Sequence, residues 1–212
     1  MPAADPKYHP QYPVNLVVAG RPCLVVGGGS VALRKIDGLL ACGADVTVVA
    51  PSISDEIAQR PVKTERRPYE QGEAKAFRLV IAATDDPAVN RAVYEDGEAA
   101  GVWVNAADEP SSCSFTLPSV VRRGPIMVTV STGGRSPAMS TWLRGCVESW
   151  LGEEYVVLLE LLSQEREAIK AGGRSTEGLD WLSALDSNML ELIRAGEIGR
   201  ARERLQACLS SS

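Results

Sequence analysis

Apolar residues in the first half of the chain come in two rhythms. Short, nearly unbroken runs at 22–27, 45–50, 78–83 and 101–105 are rich in Val and Ile, the pattern of strands buried on both faces. Between them, 30–42, 52–59 and 87–99 repeat their apolar residues at helical spacing. Gly43 stands where a glycine closes a helix, and Pro87, after Asp85-Asp86, where a helix begins. A further short strand is expected at 62–67. Strands alternating with helices predict an α/β fold with a parallel sheet and right-handed crossovers.

Beyond residue 113 the pattern changes. Phe115–Val121 and Ile126–Ser131 are extended runs joined by Arg122-Arg123-Gly124-Pro125, which predicts an antiparallel hairpin closed by Gly133-Gly134. Ser136 then caps a helix with Pro137 at its first position. Its apolar face carries Met139, Trp142, Leu143, Cys146, Val147 and Trp150, a packing surface for which a second subunit is one partner. After Gly152 the spacing is helical throughout: Tyr155 to Ala171, a break at Gly172-Gly173, then Leu179 to Leu192 and Ile198 to Leu209, with Ser210 to Ser212 fraying. The expected boundaries are 1–113, 114–151 and 152–212.

One junction carries candidate chemistry. The run Cys23 to Val26 stops at three glycines, and a helical pattern (Val31, Ala32, Leu33, Ile36, Leu39, Leu40) starts at once. In that context Gly27-Gly28-Gly29-Ser30-Val31-Ala32 reads as the G-x-G-x-x-A of a dinucleotide site. Gly27 permits the turn, Gly29 lets a pyrophosphate approach the backbone, and Ala32 lets the helix pack close to the strand. The exposed amides and the positive end of the helix dipole then face the phosphates. The plainer alternative is a glycine-rich turn in an ordinary βα unit. The fingerprint also expects an acid about twenty residues on, to hold the ribose hydroxyls. Here the second strand ends Val48-Val49-Ala50-Pro51-Ser52 without one, and Asp55 falls inside a helix. Ribose contact therefore falls to the backbone of Ala50, Pro51 and Ser52 or to the Ser52 hydroxyl, and no arginine stands there to favour a phosphate.

Charge and composition narrow the function. The 212 residues carry a net charge of −5 and are 45% hydrophobic, a globular composition. The charge is uneven: residues 111–150 hold Arg122, Arg123, Arg135 and Arg144 against one acid, Glu148. Such a basic island in an acidic chain can focus a field on a polyanionic ligand, or be no more than solvated surface. With no basic run and little aromatic interleaving, nucleic acid is not expected as a partner. No apolar stretch reaches the length of a membrane span, and Met1 to Pro10 is polar and proline-rich, without a signal-peptide core. The five cysteines are scattered with no C-x-x-C pair, so reduced thiols in a cytoplasmic protein are expected. The single histidine, His9, lies in the polar leader, which leaves histidine chemistry and a metal centre unsupported.

Four stretches together resemble one family: Val25-Val26-Gly27-Gly28-Gly29-Ser30-Val31-Ala32-Leu33-Arg34-Lys35, Ala82-Ala83-Thr84-Asp85, Val104-Asn105-Ala106-Ala107-Asp108, and a block from Cys113-Ser114-Phe115-Thr116-Leu117-Pro118-Ser119 through Arg123-Gly124-Pro125 to Ser131-Thr132-Gly133-Gly134-Arg135-Ser136-Pro137. In order and spacing they are similar to the precorrin-2 dehydrogenases of siroheme biosynthesis, over about residues 12 to 150. That family includes stand-alone enzymes and the dehydrogenase–ferrochelatase half of siroheme synthases. The resemblance implies NAD-dependent oxidation of precorrin-2 to sirohydrochlorin, ferrous iron insertion in some members, and a homodimer. It further implies a Rossmann-type NAD-binding domain (1–113), a dimerisation segment (114–151) and a small all-helical C-terminal domain (152–212). The polycarboxylate substrate would suit the basic island.

Asp108 follows a strand at its carboxyl end, where ligands of open α/β sheets bind. The resemblance makes it the catalytic carboxylate, and dehydrogenation needs a base for the proton lost beside the hydride. The alternative is a turn cap, since Asp108-Glu109-Pro110 is good turn chemistry. Gly27, Gly28, Gly29, Ser30 and Val31 are the candidate cofactor cradle. Thr84 and Asn105 end strands beside the crevice and either contact NAD or cap loops. Ser131, Thr132, Gly133 and Ser136 form a hydroxyl-and-amide cluster that either binds carboxylates or is a tight turn with a helix cap. With Ser119, Arg123 and Arg135 they are the candidate substrate contacts. Two other readings compete. A non-catalytic NAD-binding regulatory module would not need the hairpin, the arginines or Asp108. A metal chelatase with a vestigial cofactor site would keep them.

Overall fold

The computed structural model describes residues 10–107, 109–185 and 187–210. Five short strands, β1 (Pro22–Val26), β2 (Asp45–Val49), β3 (Lys63–Glu65), β4 (Leu79–Ala82) and β5 (Trp103–Ala106), pair in parallel in the order β3-β2-β1-β4-β5. The sheet is covered on both faces. Cys23 and Val25 of β1, with Leu79 and Ile81 of β4, pack with Ala32, Ile36 and Leu39 of α1 (Ser30–Leu40) and Ile57 of α2 (Asp55–Ala58). The alternate residues Leu24, Val26, Val80 and Ala82 pack with Val93 of α3 (Pro87–Ala100). Strand side chains alternate faces, so a strand apolar at every position is one that needs a layer on each side. Burying a residue such as Leu24 contributes about 1.5–3 kcal/mol.

The described chain forms two compact units, Met1–Leu117 and Pro118–Ser212. The second contains an antiparallel hairpin of β6 (Ser119–Arg123) and β7 (Ile126–Val130), followed by α4 (Pro137–Trp150). A helical cluster of α5 (Glu154–Ala171), α6 (Trp181–Leu185), α7 (Met189–Arg194) and α8 (Ile198–Ser210) closes over Leu158, Leu161, Met189, Ile193, Ala201 and Leu205.

Two sequence expectations are corrected. The hairpin starts at Ser119, not Phe115. Ser114 N donates to Val104 O (2.8 Å), Asn105 Nδ2 donates to Phe115 O (2.9 Å), and Phe115 packs on the α1 face of the first unit. Pro118, which lacks an N–H, separates that segment from β6. The helix expected over Leu179 to Leu192 is two, α6 and α7, with Asn188 in the left-handed region (φ 54°) before α7. Asparagine adopts that conformation more readily than other side-chain-bearing residues, so it can break a run whose apolar spacing continues.

Candidate active site

The chain leaves β1 for β2 on one side, while β4 leads to β5 on the other, so the carboxyl ends of β1 and β4 flank the switch point where such sheets bind ligands. The turn after β1 is built into both neighbours. Gly27 N donates to Val49 O (3.0 Å), Ser54 N donates to Gly28 O (3.0 Å), and Ala83 N donates to Val26 O (2.8 Å). Gly27 has φ +129°, and a Cβ on it would lie 2.2 Å from Ala83 O. A Cβ on Gly28 would lie 1.8 Å from Ser52 O. These two glycines are therefore fixed by backbone packing. Gly29 differs: nothing lies within 4 Å of where its Cβ would stand, and its φ of −98° suits any residue. Glycine at this N-cap leaves the backbone amides open to the approach of a ligand.

Helix α1 starts at this opening with no side-chain cap on Gly29 and no acid in its first turn. Asp86 caps α3 by accepting from Ala88 N (2.8 Å), and Ser136 caps α4 by accepting from Met139 N (3.2 Å). A capping side chain would add only roughly a few tenths of a kcal/mol over glycine, and its absence leaves the first amides of α1 and the positive end of the helix free for an anion. Ser30 is exposed and Val31 half-buried at this opening. These features fit the pyrophosphate of a dinucleotide.

The remaining cofactor candidates line the same sheet edge. Ala50 is buried, and its N–H is taken by Glu65 O (3.2 Å), while Pro51 and Ser52 are exposed. No acid joins them from β2, but the fold brings a cation that the sequence reading did not place there. Arg66, one residue past β3, donates to Ile53 O (3.2 Å) and makes no ion pair among the described residues. The Thr84 hydroxyl is committed to its own loop, donating to Asp86 O (3.0 Å) and Asn90 Oδ1 (2.8 Å). Asn105 is 8% exposed, with its Nδ2 given to Phe115 O.

Asp108 lies outside the described residues, as does His9. The chain on either side of position 108 is well tied. Cys113 Sγ donates to Ala106 O (3.2 Å) and Glu109 O (3.4 Å), and Arg91 pairs with Glu109 (2.9 Å). Burial raises the Cys113 thiol above its ordinary pKa, which keeps it protonated as a donor. Sequence reasoning missed Cys113, Asn90 and Arg66. For Asn90 a signal existed, a polar residue in phase with Val93 and Gly97 on the buried face of α3.

The candidate substrate residues fall in the second unit. Thr132 Oγ1 accepts from Ser136 N (3.2 Å) and is hydrogen-bonded to Ser140 Oγ (3.0 Å), while Ser131 Oγ accepts from Gly133 N (3.2 Å). Ser119 pairs with Val130, so it stands beside this turn, and Arg135 is exposed on it. Arg123 is not brought to the same place. It pairs with Ile126 at the other end of the hairpin, about 13 Å along the strand, with its guanidinium near Glu153 (4.0 Å). Among the described residues no group of three His, Cys, Asp or Glu side chains could hold a metal ion, and no helix is long and apolar enough to cross a membrane.

A glycine turn at the switch point of a doubly wound parallel sheet, opening on an uncapped helix, defines a Rossmann-type dinucleotide-binding protein. A family described as "Putative NAD(P)-binding" matches residues 14–119, half of the chain, and the chain belongs to that family. The chain is 37% identical over 203 residues to siroheme synthase of Nitrosococcus oceani, and 39% identical over 206 residues to siroheme synthase of Thioalkalivibrio sulfidiphilus. These matches cover 93% and 94% of this chain but 43% and 42% of the relatives, so the chain spans under half the length of those proteins. Among solved structures it is similar to SirC, a precorrin-2 dehydrogenase, with a TM-score of 0.69 and 27% identity over 95% of this chain and 100% of that one.

Proposed function

We propose that this chain oxidises precorrin-2 to sirohydrochlorin with NAD. The observation that carries the reading is the likeness to SirC across both units, since that likeness spans the hairpin and helical region as well as the sheet. A regulatory NAD-binding module would account for the first unit alone. NAD, when bound, supplies the hydride acceptor. The chain's own residues would do the rest. Gly27, Gly28, Gly29, Ser30 and Val31 hold the pyrophosphate, and Ala50, Pro51 and Ser52 contact the ribose. Thr84 and Asn105 border the nicotinamide end. Asp108 takes the proton released from the carbon next to the one that loses hydride. Ser119, Ser131, Thr132, Gly133, Arg135 and Ser136 bind substrate carboxylates at one end of the hairpin, and Arg123 contacts the substrate from the other. Anaerobic incubation of the chain with precorrin-2 and NAD tests this. Appearance of the sirohydrochlorin spectrum supports it, and NAD binding without turnover supports the regulatory module instead.

The name of the longer relatives favours a second activity on the same scaffold, insertion of ferrous iron into sirohydrochlorin. Repeating the incubation with ferrous and then cobaltous ion tests it by the spectrum of the metallated product. With five free cysteines, the protein is proposed to work in the cytoplasm.

The chain is proposed to form a symmetric homodimer through the segment 114–151, with 152–212 as a separate helical domain. Helix α4 buries none of its residues, and Met139, Trp142 and Trp150 are 52%, 65% and 60% exposed. Large apolar side chains clustered on one helix are the usual mark of an interface. Sedimentation at micromolar concentration is expected to give a dimer and Trp142→Glu a monomer. A monomeric parent chain would contradict the assignment.

A further inference from the structure

Asn90 is 5% exposed, and its side chain serves a single residue. Its Oδ1 accepts from Thr84 N (3.2 Å) and Thr84 Oγ1 (2.8 Å), and its Nδ2 donates to Thr84 O (3.0 Å). The first turn of α3 thus holds both main-chain polar groups of the residue that follows Ala83 at the end of β4. The peptide that joins Ala83 to Thr84 also stands against the glycine turn, because the space a Gly27 Cβ would need is occupied by Ala83 O, with Thr84 N 3.3 Å away. One side chain therefore fixes the β4 wall of the crevice against the glycine turn of the β1 wall.

Helix α3 does not need this device in order to start. Asp86 already caps it, and Pro87 occupies its first position. An apolar residue in phase with Val93 would fill the same space on the buried face. What only an amide supplies is a donor and an acceptor for the two orphan groups of Thr84. Without it those groups must turn to find water, and the wall turns with them. We propose that Asn90 is a positioning residue for the dinucleotide, holding the Thr84 peptide where NAD needs it. The proposal rests on the reading of this crevice as the NAD site.

The test measures NAD affinity by calorimetry, the split between KM for NAD and kcat, and the melting temperature, in the full chain. Asn90→Ala is expected to weaken NAD binding and raise its KM by about tenfold, the scale of one ordering hydrogen bond, with kcat at saturating NAD little changed. Asn90→Asp keeps the acceptor but sets a carboxylate against Thr84 O. It should show the same split, and it carries the test if the alanine variant does not fold. Asp86→Ala loosens the same helix start without touching the Thr84 peptide, and should lower the melting temperature while leaving NAD affinity unchanged. A folded Asn90 variant with a lowered melting temperature and parental NAD affinity would overturn the inference and leave the crevice assignment standing. A parental chain that binds no NAD would overturn both.

Discussion

Gly29→Asp is expected to remove NAD binding from a chain that still folds. The two parts of that expectation have separate grounds. Folding is spared because the added Cβ meets nothing within 4 Å and the backbone angle needs no glycine. Binding fails because the carboxylate takes the place of the pyrophosphate and opposes its charge. Like charges brought together at a binding site cost several kcal/mol, so the dissociation constant should rise by about a hundredfold or more. Gly28→Ala one residue earlier should act on the fold itself. Its methyl would stand 1.8 Å from Ser52 O, so the backbone must shift, at a cost of about 1–3 kcal/mol. The melting temperature should fall, whereas in Gly29→Asp it should hold while affinity is lost. Calorimetry with thermal melts on both variants separates a glycine kept for a ligand from one kept for packing. Unchanged NAD affinity in folded Gly29→Asp would place the cofactor elsewhere.

Asp108→Asn is expected to lower kcat by about a hundredfold or more, the scale of general-base catalysis, while NAD affinity barely moves. The substitution preserves shape and most hydrogen bonding but removes the base. The residues on either side of position 108 are held by Cys113, at Ala106 O and Glu109 O, and by Arg91 at Glu109. A residue that served only as a turn cap would give the converse result, a lower melting temperature with turnover of the folded enzyme nearly intact. Near-parental kcat in folded Asp108→Asn would move the chemistry to the hydroxyl cluster at Ser131 and Thr132.

The centre of the sheet was legible in the sequence because β1 and β4 are apolar on both faces. Cys23-Leu24-Val25-Val26 reads as one run, and the fold sends its members alternately to two helical layers. The glycine turn was legible for the same reason, standing where the run stops. Its division of labour was not. Gly28 looks like a spacer in the string, and only the approach of Ser52 O from the end of β2 reveals its role. Phe115 continues the apolar pattern of the hairpin, yet it packs against the sheet. An apolar residue does not announce which of two cores it joins, and here the Phe115 carbonyl is held by Asn105 of β5 while its ring packs on the first core. The same holds for Arg66 and Asn90. Each lies well away in sequence from the glycine turn, and parallel pairing of β2 with β3 and the start of α3 bring them to the crevice.

The stoichiometry of the reaction tests the proposed dehydrogenation most directly. With precorrin-2 and NAD supplied anaerobically and no metal added, NADH and sirohydrochlorin should appear together in equal amounts. Both should vanish together when Gly29→Asp replaces the parent chain. Sirohydrochlorin formed without matching NADH, or NAD bound with neither product formed, would contradict it.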